Sequence, residues 1–156
     1  MTANTIPQGD LALLDHPVAQ DLLNSAIPAR LSYIAPDGTP RVSPMWFTWN
    51  GTDLVLGAAG GSPKVRALQA NPRVAVTIDS DTAPYKVLSI RGDARVTIVE
   101  GAVDEYADAA LRYMGPTHGA AFREHAKATM RGMARITIKP DWVSLIDFQT
   151  RYPATY

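Results

Sequence analysis

Two tight-turn signals close together in the sequence constrain the fold more than any other feature. The pairs Asp37-Gly38 and Asn50-Gly51 are signals of tight turns between strands. β-branched and aromatic residues flank both pairs, which predicts strands over residues 31–35, 42–49 and 54–57. We therefore expect the sheet to begin as an antiparallel meander.

The rest of the chain is predicted to supply further strands and a few helices. Apolar residues at helical spacing predict helices over residues 11–27, 62–70, 102–114 and 120–130. Further strands are predicted over residues 74–78, 85–98, 135–139 and 142–148, with Gly92 bending the longest of them. Six or so strands with few, short helices favour a mainly β, small closed barrel. We expect one domain over residues 1–156, with a helical insertion at about 101–131.

Composition limits the functions open to this chain. Fifteen Lys and Arg residues balance fifteen Asp and Glu residues, so no overall charge favours nucleic acid or an anionic membrane. The absence of cysteine excludes disulfides, thiolate catalysis and Cys-ligated zinc. No apolar run is long enough to span a bilayer, and residues 1–10 lack the regions of a signal peptide. We therefore expect a cytoplasmic protein in which any anion site is local.

No catalytic motif stands out in the sequence. His16, His118 and His125 are isolated, and no carboxylate completes a credible ligand set, so no metal site is expected. The nucleophile-elbow, Walker and dinucleotide-binding glycine motifs are all absent. The sequence therefore assigns no catalytic residue.

A candidate anion site lies in residues 60–66, GGSPKVR, where a strand leads into a helix. Ser62 suits the helix N-cap, and Pro63 suits the first helical position, where its missing N–H costs nothing. Lys64 and Arg66 add two cations to a helix end that already carries partial positive charge. The alternative is a capped surface helix with solvated basic residues. The clustering of glycines, cap and Lys64 at the helix end favours a phosphate-binding site.

The strand over residues 44–49, PMWFTW, carries aromatic side chains on both faces. Alternation along a strand gives two sets, Met45, Phe47 and Trp49 on one face and Pro44, Trp46 and Thr48 on the other. One interpretation is that the strand is buried between the barrel core and a subunit interface. The other is that it forms a platform for a planar ring. Both interpretations are correct if a ligand binds at the interface. Because Pro44 cannot donate to a sheet ladder, we expect this strand end to be irregular or at an edge.

These features together resemble the pyridoxamine 5′-phosphate oxidase-like split-barrel family, which binds FMN or the deazaflavin coenzyme F-420. The resemblance covers about residues 31–148. Its marks are the hairpin DGTPRV at 37–42, the strand ending in Trp46-Phe47, and the blocks GSPKVRAL at 61–68 and NPRVAV at 71–76. The last two blocks, in that order and spacing, are fairly specific for the superfamily and discriminate poorly within it.

The resemblance implies a six-stranded antiparallel split β-barrel of the FMN-binding type. It implies a homodimer with two cofactors in clefts between the subunits. Residues 41–46 would line the ring and ribityl chain beside Gly57 and Ala58, while Ser62 and Lys64 would hold the phosphate. The implied cofactor-binding residues are Arg41, Val42, Ser43, Pro44, Met45, Trp46, Gly57, Ala58, Ser62, Lys64 and, in an assisting role, Arg66.

Two departures from the family point away from the oxidases themselves. The oxidases carry an Arg-Lys pair where this chain has Pro63-Lys64, and their C-terminal substrate-binding Arg and His have no clear match around residues 151–153. The flavin/deazaflavin oxidoreductases resemble the chain more closely, which implies F-420 slightly ahead of FMN. Hydride transfer to or from a small organic substrate is then expected, with Trp46 or Tyr152 shaping the substrate side.

Two alternatives to a redox enzyme stay open at this point. The first is a non-catalytic storage or sensing protein of the same fold, which would bind a flavin, a deazaflavin or another planar ligand without turnover. The second is a plain dimeric barrel whose aromatic side chains only fill an interface. The sequence does not separate these, because binding and catalytic members share the cofactor motif.

Overall fold

The protein is described by a computed structural model for residues 6–151. Its helices are a 3-10 helix at Leu11–Asp15, α1 at Pro17–Leu23, α2 at Pro63–Ala70, α3 at Asp104–Met114 and α4 at Pro116–Thr129. Its strands are β1 at Ala29–Ile34, β2 at Pro40–Met45, β3 at Phe47–Trp49, β4 at Leu54–Ala59, β5 at Arg73–Asp79, β6 at Lys86–Ile98 and β7 at Met133–Asp147. The fold is therefore mainly β with a helical pair inserted before the last strand.

The strands form one antiparallel sheet that must curl into a barrel. Their order is β2-β1-β5-β6-β7-β4-β3, so that β2 and β3 lie at opposite edges. Only Trp46 separates these two strands in sequence. β2 ends and β3 begins on either side of Trp46, and the Cα atoms of two residues that flank a third are no more than about 7.6 Å apart. The two edges of the sheet must therefore meet at Trp46. This is the predicted split barrel, with seven strands instead of six because one strand is broken at Trp46.

Two strand predictions differ from the structure. The predicted strand over residues 42–49 divides at Trp46, because β2 pairs with β1 whereas β3 pairs with β4. The two strands predicted over 135–139 and 142–148 are a single strand, β7, because β6 pairs with it along its length. The placement of β2 at a sheet edge agrees with the expectation from Pro44.

Two glycines lie where a pairing register shifts or an element ends. Gly92 lies at the register shift between β6 and β7, and a Cβ there would sit 2.3 Å from the carbonyl oxygen of Lys139. The extra residue at this shift is Asp141 on β7, so the bulge lies in the strand opposite Gly92, and a bend of β6 itself stays a prediction. Gly115, with φ of 80°, separates α3 from α4, and α4 begins at once with Pro116, earlier than the predicted start at residue 120.

The hydrophobic core fills the inside of the barrel and fixes the helices that surround it. Alternate residues of β5 are buried, at Val74, Val76 and Ile78, as expected for a sheet with one face inward. Helix α2 joins the same core through Val65 and Leu68, which fixes the orientation of its first turn. In the described part of the chain, no helix is both long and apolar enough to cross a membrane.

Candidate functional site

A cleft of about 560 Å³ opens where β1, β2, β4, α2 and α3 meet. Its volume falls within the range of small-molecule binding sites in proteins. The lining residues are Tyr33, Pro44, Met45, Trp46, Gly57, Ala58, Ala59, Ser62, Pro63, Lys64 and Tyr106. The break between β2 and β3 therefore lies in the wall of the cleft.

Lys64 is the charged side chain among the residues that line the cleft. Its Nζ donates a hydrogen bond of 2.8 Å to Oγ of Ser43 and lies 3.5 Å from Sδ of Met45. Burial lowers its pKa below the ordinary 10.5, and no carboxylate within residues 6–151 forms an ion pair with it. A partly desolvated ammonium without a counter-ion attracts an anion more strongly than one fully exposed to water.

The start of α2 explains why Lys64 faces the cleft. The Ser62 hydroxyl caps the helix by accepting a hydrogen bond of 3.3 Å from the backbone N–H of Val65, and Pro63 occupies the first turn. Val65 is fully buried and holds this turn against the barrel. The positive end of the helix dipole thus lies beside the Lys64 ammonium, and the two favour an anion at the same place.

Trp46 is held by three aromatic rings from the inserted helices. The ring of Tyr113 stacks on it, with centroids 5.0 Å apart and planes 2° apart. Tyr106 lies 5.5 Å away at 30°, and Phe122 lies 5.5 Å away edge-on. Because Tyr113 already covers one face of Trp46, that face is closed to a ligand ring. Trp46 is therefore a fixed wall of the cleft.

Helix α3 also supplies hydrogen bonds to the free edge of β3 at the split. The Tyr113 hydroxyl accepts from the backbone N–H of Phe47 at 3.4 Å and donates to the carbonyl of Ile27 at 3.2 Å. The Arg112 guanidinium donates to the carbonyl of Phe47 and to that of Ser25. These bonds satisfy backbone groups that an edge strand would otherwise leave unpaired.

Gly57 allows α3 to approach β4 closely. A Cβ at Gly57 would lie 2.7 Å from Cβ of Tyr106 and 3.1 Å from Cε of Met133, which is too close for a side chain. The absence of a side chain at Gly57 therefore lets Tyr106 reach the cleft. Burial raises the pKa of Tyr106 above its ordinary value.

The carboxylate of Glu105, the residue before Tyr106, is neutralised by an arginine side chain on a neighbouring strand. Arg135 on β7 donates to Oε1 of Glu105 through Nε at 2.9 Å and through Nη2 at 2.5 Å. This ion pair holds the pKa of Glu105 below its ordinary value. Glu105 does not line the cleft, so its charge adds no acidic group to the lining.

The structure brings together most of the cofactor-binding residues implied by the sequence resemblance. The predicted residues that line the cleft are Pro44, Met45, Trp46, Gly57, Ala58, Ser62 and Lys64. Ser43 joins them through its hydrogen bond with Lys64. The predicted residues outside the lining are Arg41, Val42 and Arg66.

Each of these three residues has another environment within the chain. Arg41 forms an ion pair of 3.2 Å with Asp37 at the hairpin turn. The side chain of Val42 is 68% exposed on the outer face of β2. The guanidinium of Arg66 donates to the carbonyl of Gly61, so it lies back over the preceding turn.

Sequence reasoning missed three lining residues, Tyr33, Ala59 and Tyr106, whereas Pro63 belongs to the predicted anion segment. Tyr33 pairs with Arg41 in the β1–β2 register, so the hairpin signal could have placed it beside the predicted site. Tyr106 lies in the helical insertion, and no local signal indicates where that insertion packs. The other predicted substrate-side residue, Tyr152, lies outside the described residues.

The histidines take no part in the cleft. His16 caps α1, where its Nδ1 accepts a hydrogen bond of 3.2 Å from the backbone N–H of Val18. His118 and His125 lie on α4. Across residues 6–151, no group of three or more His, Asp or Glu side chains is arranged to hold a metal ion.

Comparison with known proteins places the chain in a family. The family model described as pyridoxamine 5′-phosphate oxidase matches residues 16–147, which span the whole sheet and both inserted helices. The chain belongs to the pyridoxamine 5′-phosphate oxidase-like split-barrel family. The resemblance drawn from the sequence blocks is thus confirmed. No curated protein matches the chain.

Solved structures with the fold of this family differ in what they are described as doing. An F-420 reductase is 31% identical with a TM-score of 0.63, covering 80% of this chain and 94% of that chain. A conserved hypothetical protein from Mycobacterium tuberculosis is 20% identical with a TM-score of 0.74, covering 99% and 96%. A heme storage protein from Vibrio cholerae is 17% identical with a TM-score of 0.60, covering 85% and 93%. The last two show the fold alone.

Proposed function

We propose that this protein is an oxidoreductase that binds coenzyme F-420, or FMN as the second choice, and exchanges a hydride with a small organic substrate. The observation that carries the proposal is Lys64, a half-buried cation without a carboxylate partner among the described residues, at the start of a helix and in the wall of a cleft. The 31% identity to an F-420 reductase favours the deazaflavin. When bound, the cofactor supplies the hydride chemistry, so the protein needs no nucleophile or catalytic dyad.

The phosphate end of the cofactor fits the first turn of α2. Lys64 would supply the positive charge, and the Ser62 hydroxyl and the helix start would supply hydrogen-bond donors. Ser43 Oγ and, more weakly, Met45 Sδ accept from the Lys64 ammonium, which leaves one further N–H group for a phosphate oxygen. Phosphate binding at Lys64 therefore requires no rearrangement of the Ser43 contact.

The ring end fits the part of the cleft between Trp46 and Gly57. Gly57, Ala58 and Ala59 form a run of small residues along β4, which leaves room for a flat ring system. The backbone of residues 44–46 lies beside them at the end of β2. Because Trp46 leaves the strand ladder, its backbone groups are available to polar atoms of a ring.

A second copy of the chain is proposed to complete the cleft. Val42 is 68% exposed and Ile34 is 37% exposed, and both lie on the outer face of the β1–β2 hairpin that borders the cleft. A subunit packed on this face would cover both side chains.

Analytical ultracentrifugation tests the proposed dimer. We expect wild type to be a dimer and Val42→Asp to be a monomer. The control Leu11→Asp, at another exposed apolar site, should stay dimeric. A monomeric wild type would refute the dimer.

Titration of the purified protein with each cofactor tests the proposed function. We expect saturable binding of one cofactor per chain, monitored by absorbance and tryptophan fluorescence, with F-420 bound more tightly than FMN. Tighter binding of FMN would reverse the cofactor preference and keep the enzyme class. Failure to bind either cofactor would overturn the proposal in favour of a plain barrel.

Turnover separates an enzyme from a storage or sensing protein. Reduced cofactor bound to the protein should be reoxidised by unsaturated organic acceptors, under anaerobic conditions, faster than free reduced cofactor at the same concentration. Reoxidation no faster than that of free cofactor, across a chemically varied set of acceptors, would instead assign the chain a non-catalytic binding role.

A further inference from the structure

We propose that the Tyr106 hydroxyl binds the substrate by a hydrogen bond to an oxygen atom, and that the cleft therefore selects flat, conjugated molecules that carry a carbonyl group. This inference rests on the proposed function, because it assigns the substrate side of the same cleft. It gives the inserted helix α3 a role in specificity as well as in packing.

Two tyrosines of α3 touch Trp46, and their hydroxyl groups differ in what they bind. The Tyr113 hydroxyl is fully used, since it accepts from Phe47 and donates to the carbonyl of Ile27. The Tyr106 hydroxyl makes no hydrogen bond to any group in residues 6–151. The Tyr106 hydroxyl is not among the fully buried polar atoms, so a ligand oxygen in the cleft can reach it and accept its hydrogen bond.

The position of the Tyr106 ring is fixed before any ligand arrives. Trp46 lies 5.5 Å from it and Phe122 lies 6.0 Å from it, centroid to centroid. Gly57 lies directly beneath its Cβ. Because the ring is held on three sides, little side-chain entropy is lost when its hydroxyl binds a ligand.

The location of Tyr106 separates it from the proposed phosphate end. Gly57, which contacts Tyr106, precedes the turn to Ser62 along β4, and Gly57 to Ala59 spans roughly 7 Å at the usual rise of a strand. Among the lining residues, Tyr33, Trp46, Ser62 and Lys64 also carry polar side-chain groups, and the Trp46 indole can only donate. The Tyr106 hydroxyl can therefore anchor a substrate oxygen while Lys64 is occupied by the phosphate.

Chemistry favours a neutral carbonyl as the partner. Burial raises the pKa of Tyr106, so its hydroxyl stays protonated and donates at physiological pH. The cleft wall beside it includes the ring of Trp46, which packs well against a flat conjugated molecule. A site that donates a hydrogen bond to a substrate oxygen binds an otherwise identical molecule without that oxygen less tightly.

A pair of water-soluble probes tests this directly. The probes are 1,4-naphthoquinone-2-sulfonate and naphthalene-2-sulfonate, which share the fused rings and the charge and differ by two carbonyl oxygens. The chain has no cysteine to which a quinone could add. Isothermal titration calorimetry is done on protein saturated with oxidised cofactor, for wild type, Tyr106→Phe and the control Tyr33→Phe, which removes the hydroxyl of another tyrosine in the cleft.

We expect Tyr106→Phe to weaken binding of the quinone about fivefold to tenfold, as for loss of one neutral hydrogen bond, and to leave naphthalene sulfonate unchanged. Tyr33→Phe should leave both affinities unchanged. Equal quinone affinities in wild type and Tyr106→Phe would overturn the inference while leaving the cofactor assignment intact. Weaker quinone binding in Tyr33→Phe alone would likewise overturn the inference and leave the cofactor assignment intact. A wild-type protein that binds neither cofactor would overturn both proposals.

Discussion

The ammonium nitrogen of Lys64 lies 2.8 Å from the hydroxyl oxygen of Ser43, and this hydrogen bond joins the first turn of α2 to the edge strand β2. The two residues are 21 positions apart and come from two separate sequence blocks of the family. Their contact brings the segment proposed to bind phosphate beside the strand that is proposed to hold the ring. Each end of the proposed cofactor thus has its residues in one cleft.

The charge of Lys64 predicts how cofactor binding depends on pH. Because burial lowers its pKa, the ammonium loses its proton at a pH below the ordinary 10.5, and the affinity for a phosphate-bearing cofactor should fall as pH rises through that range. Lys64→Arg stays protonated and should bind with nearly constant affinity over the same range. Fluorescence titrations from pH 7 to 10 check this, and parallel curves for the two proteins would contradict it.

Loss of the helix cap should destabilise the fold modestly. Ser62 accepts a hydrogen bond from the backbone N–H of Val65 at 3.3 Å, so Ser62→Ala should lower the free energy of unfolding by about 1 kcal/mol. Ser62→Gly is the matched control, because glycine is tolerated at an N-cap and should cost only about a few tenths of a kcal/mol. Urea unfolding measures both. Equal stability of the two variants would show that the cap is not what holds this turn.

Gly57 should tolerate no side chain. In Gly57→Ala the new Cβ would meet Cβ of Tyr106 at 2.7 Å, so we expect a loss of about 1 to 3 kcal/mol and a changed Trp46 fluorescence environment. Gly61→Ala is the control, because a Cβ there meets nothing within 4 Å. Thermal unfolding and emission spectra of the two variants make the comparison. A Gly57→Ala protein as stable as Gly61→Ala would mean that α3 is not packed as described.

The sequence predicts the barrel well because its signals are local. The turn pairs at residues 37–38 and 50–51 and the alternation along β5 each depend on residues within a few positions of one another. The capped start of α2 is also confirmed, with Ser62 as the N-cap and Pro63 in the first turn. Local chemistry is sufficient at such positions, so the capped start of α2 could be predicted from the sequence.

The parts that the sequence does not predict depend on long-range packing. The break at Trp46 follows from closure of the sheet, since the residues before and after it pair with different strands. Tyr106 reaches the cleft only because α3 packs on Gly57. Arg41 lies outside the cleft lining for a different and local reason, since it pairs with Asp37, four positions away at the tip of its own hairpin. Neither an apolar period nor a motif indicates where an inserted helix will pack.

The C-terminal turn predicts an acid-sensitive contribution to stability. Asp147 is 3% exposed and accepts hydrogen bonds from the Thr150 hydroxyl at 2.7 Å and from the backbone N–H of Gln149 at 2.9 Å. These bonds lower its pKa below the ordinary 3.8. A lowered pKa in the folded state means that this stabilisation is present above about pH 4 and is lost as pH falls through the folded-state pKa.

Asp147→Asn is therefore expected to lower stability at pH 7 by roughly 1 to 2 kcal/mol, with a difference from wild type that shrinks toward pH 2. Asp15→Asn, an exposed position, should behave as wild type throughout. Urea unfolding at a series of pH values provides the measurement. A difference between Asp147→Asn and wild type that stays constant from pH 7 to pH 2 would show that ionisation of Asp147 is not its source.

Lys64 is proposed to hold the phosphate of a bound flavin-type cofactor. The most direct test of this role is calorimetric titration of wild type, Lys64→Ala and Arg66→Ala with F-420, and with FMN in parallel. We expect one site per chain, an affinity about 10- to 100-fold weaker in Lys64→Ala, and a change of less than about threefold in Arg66→Ala, whose guanidinium bonds to Gly61. Cofactor affinity in Lys64→Ala equal to that of wild type would show that Lys64 does not hold the phosphate.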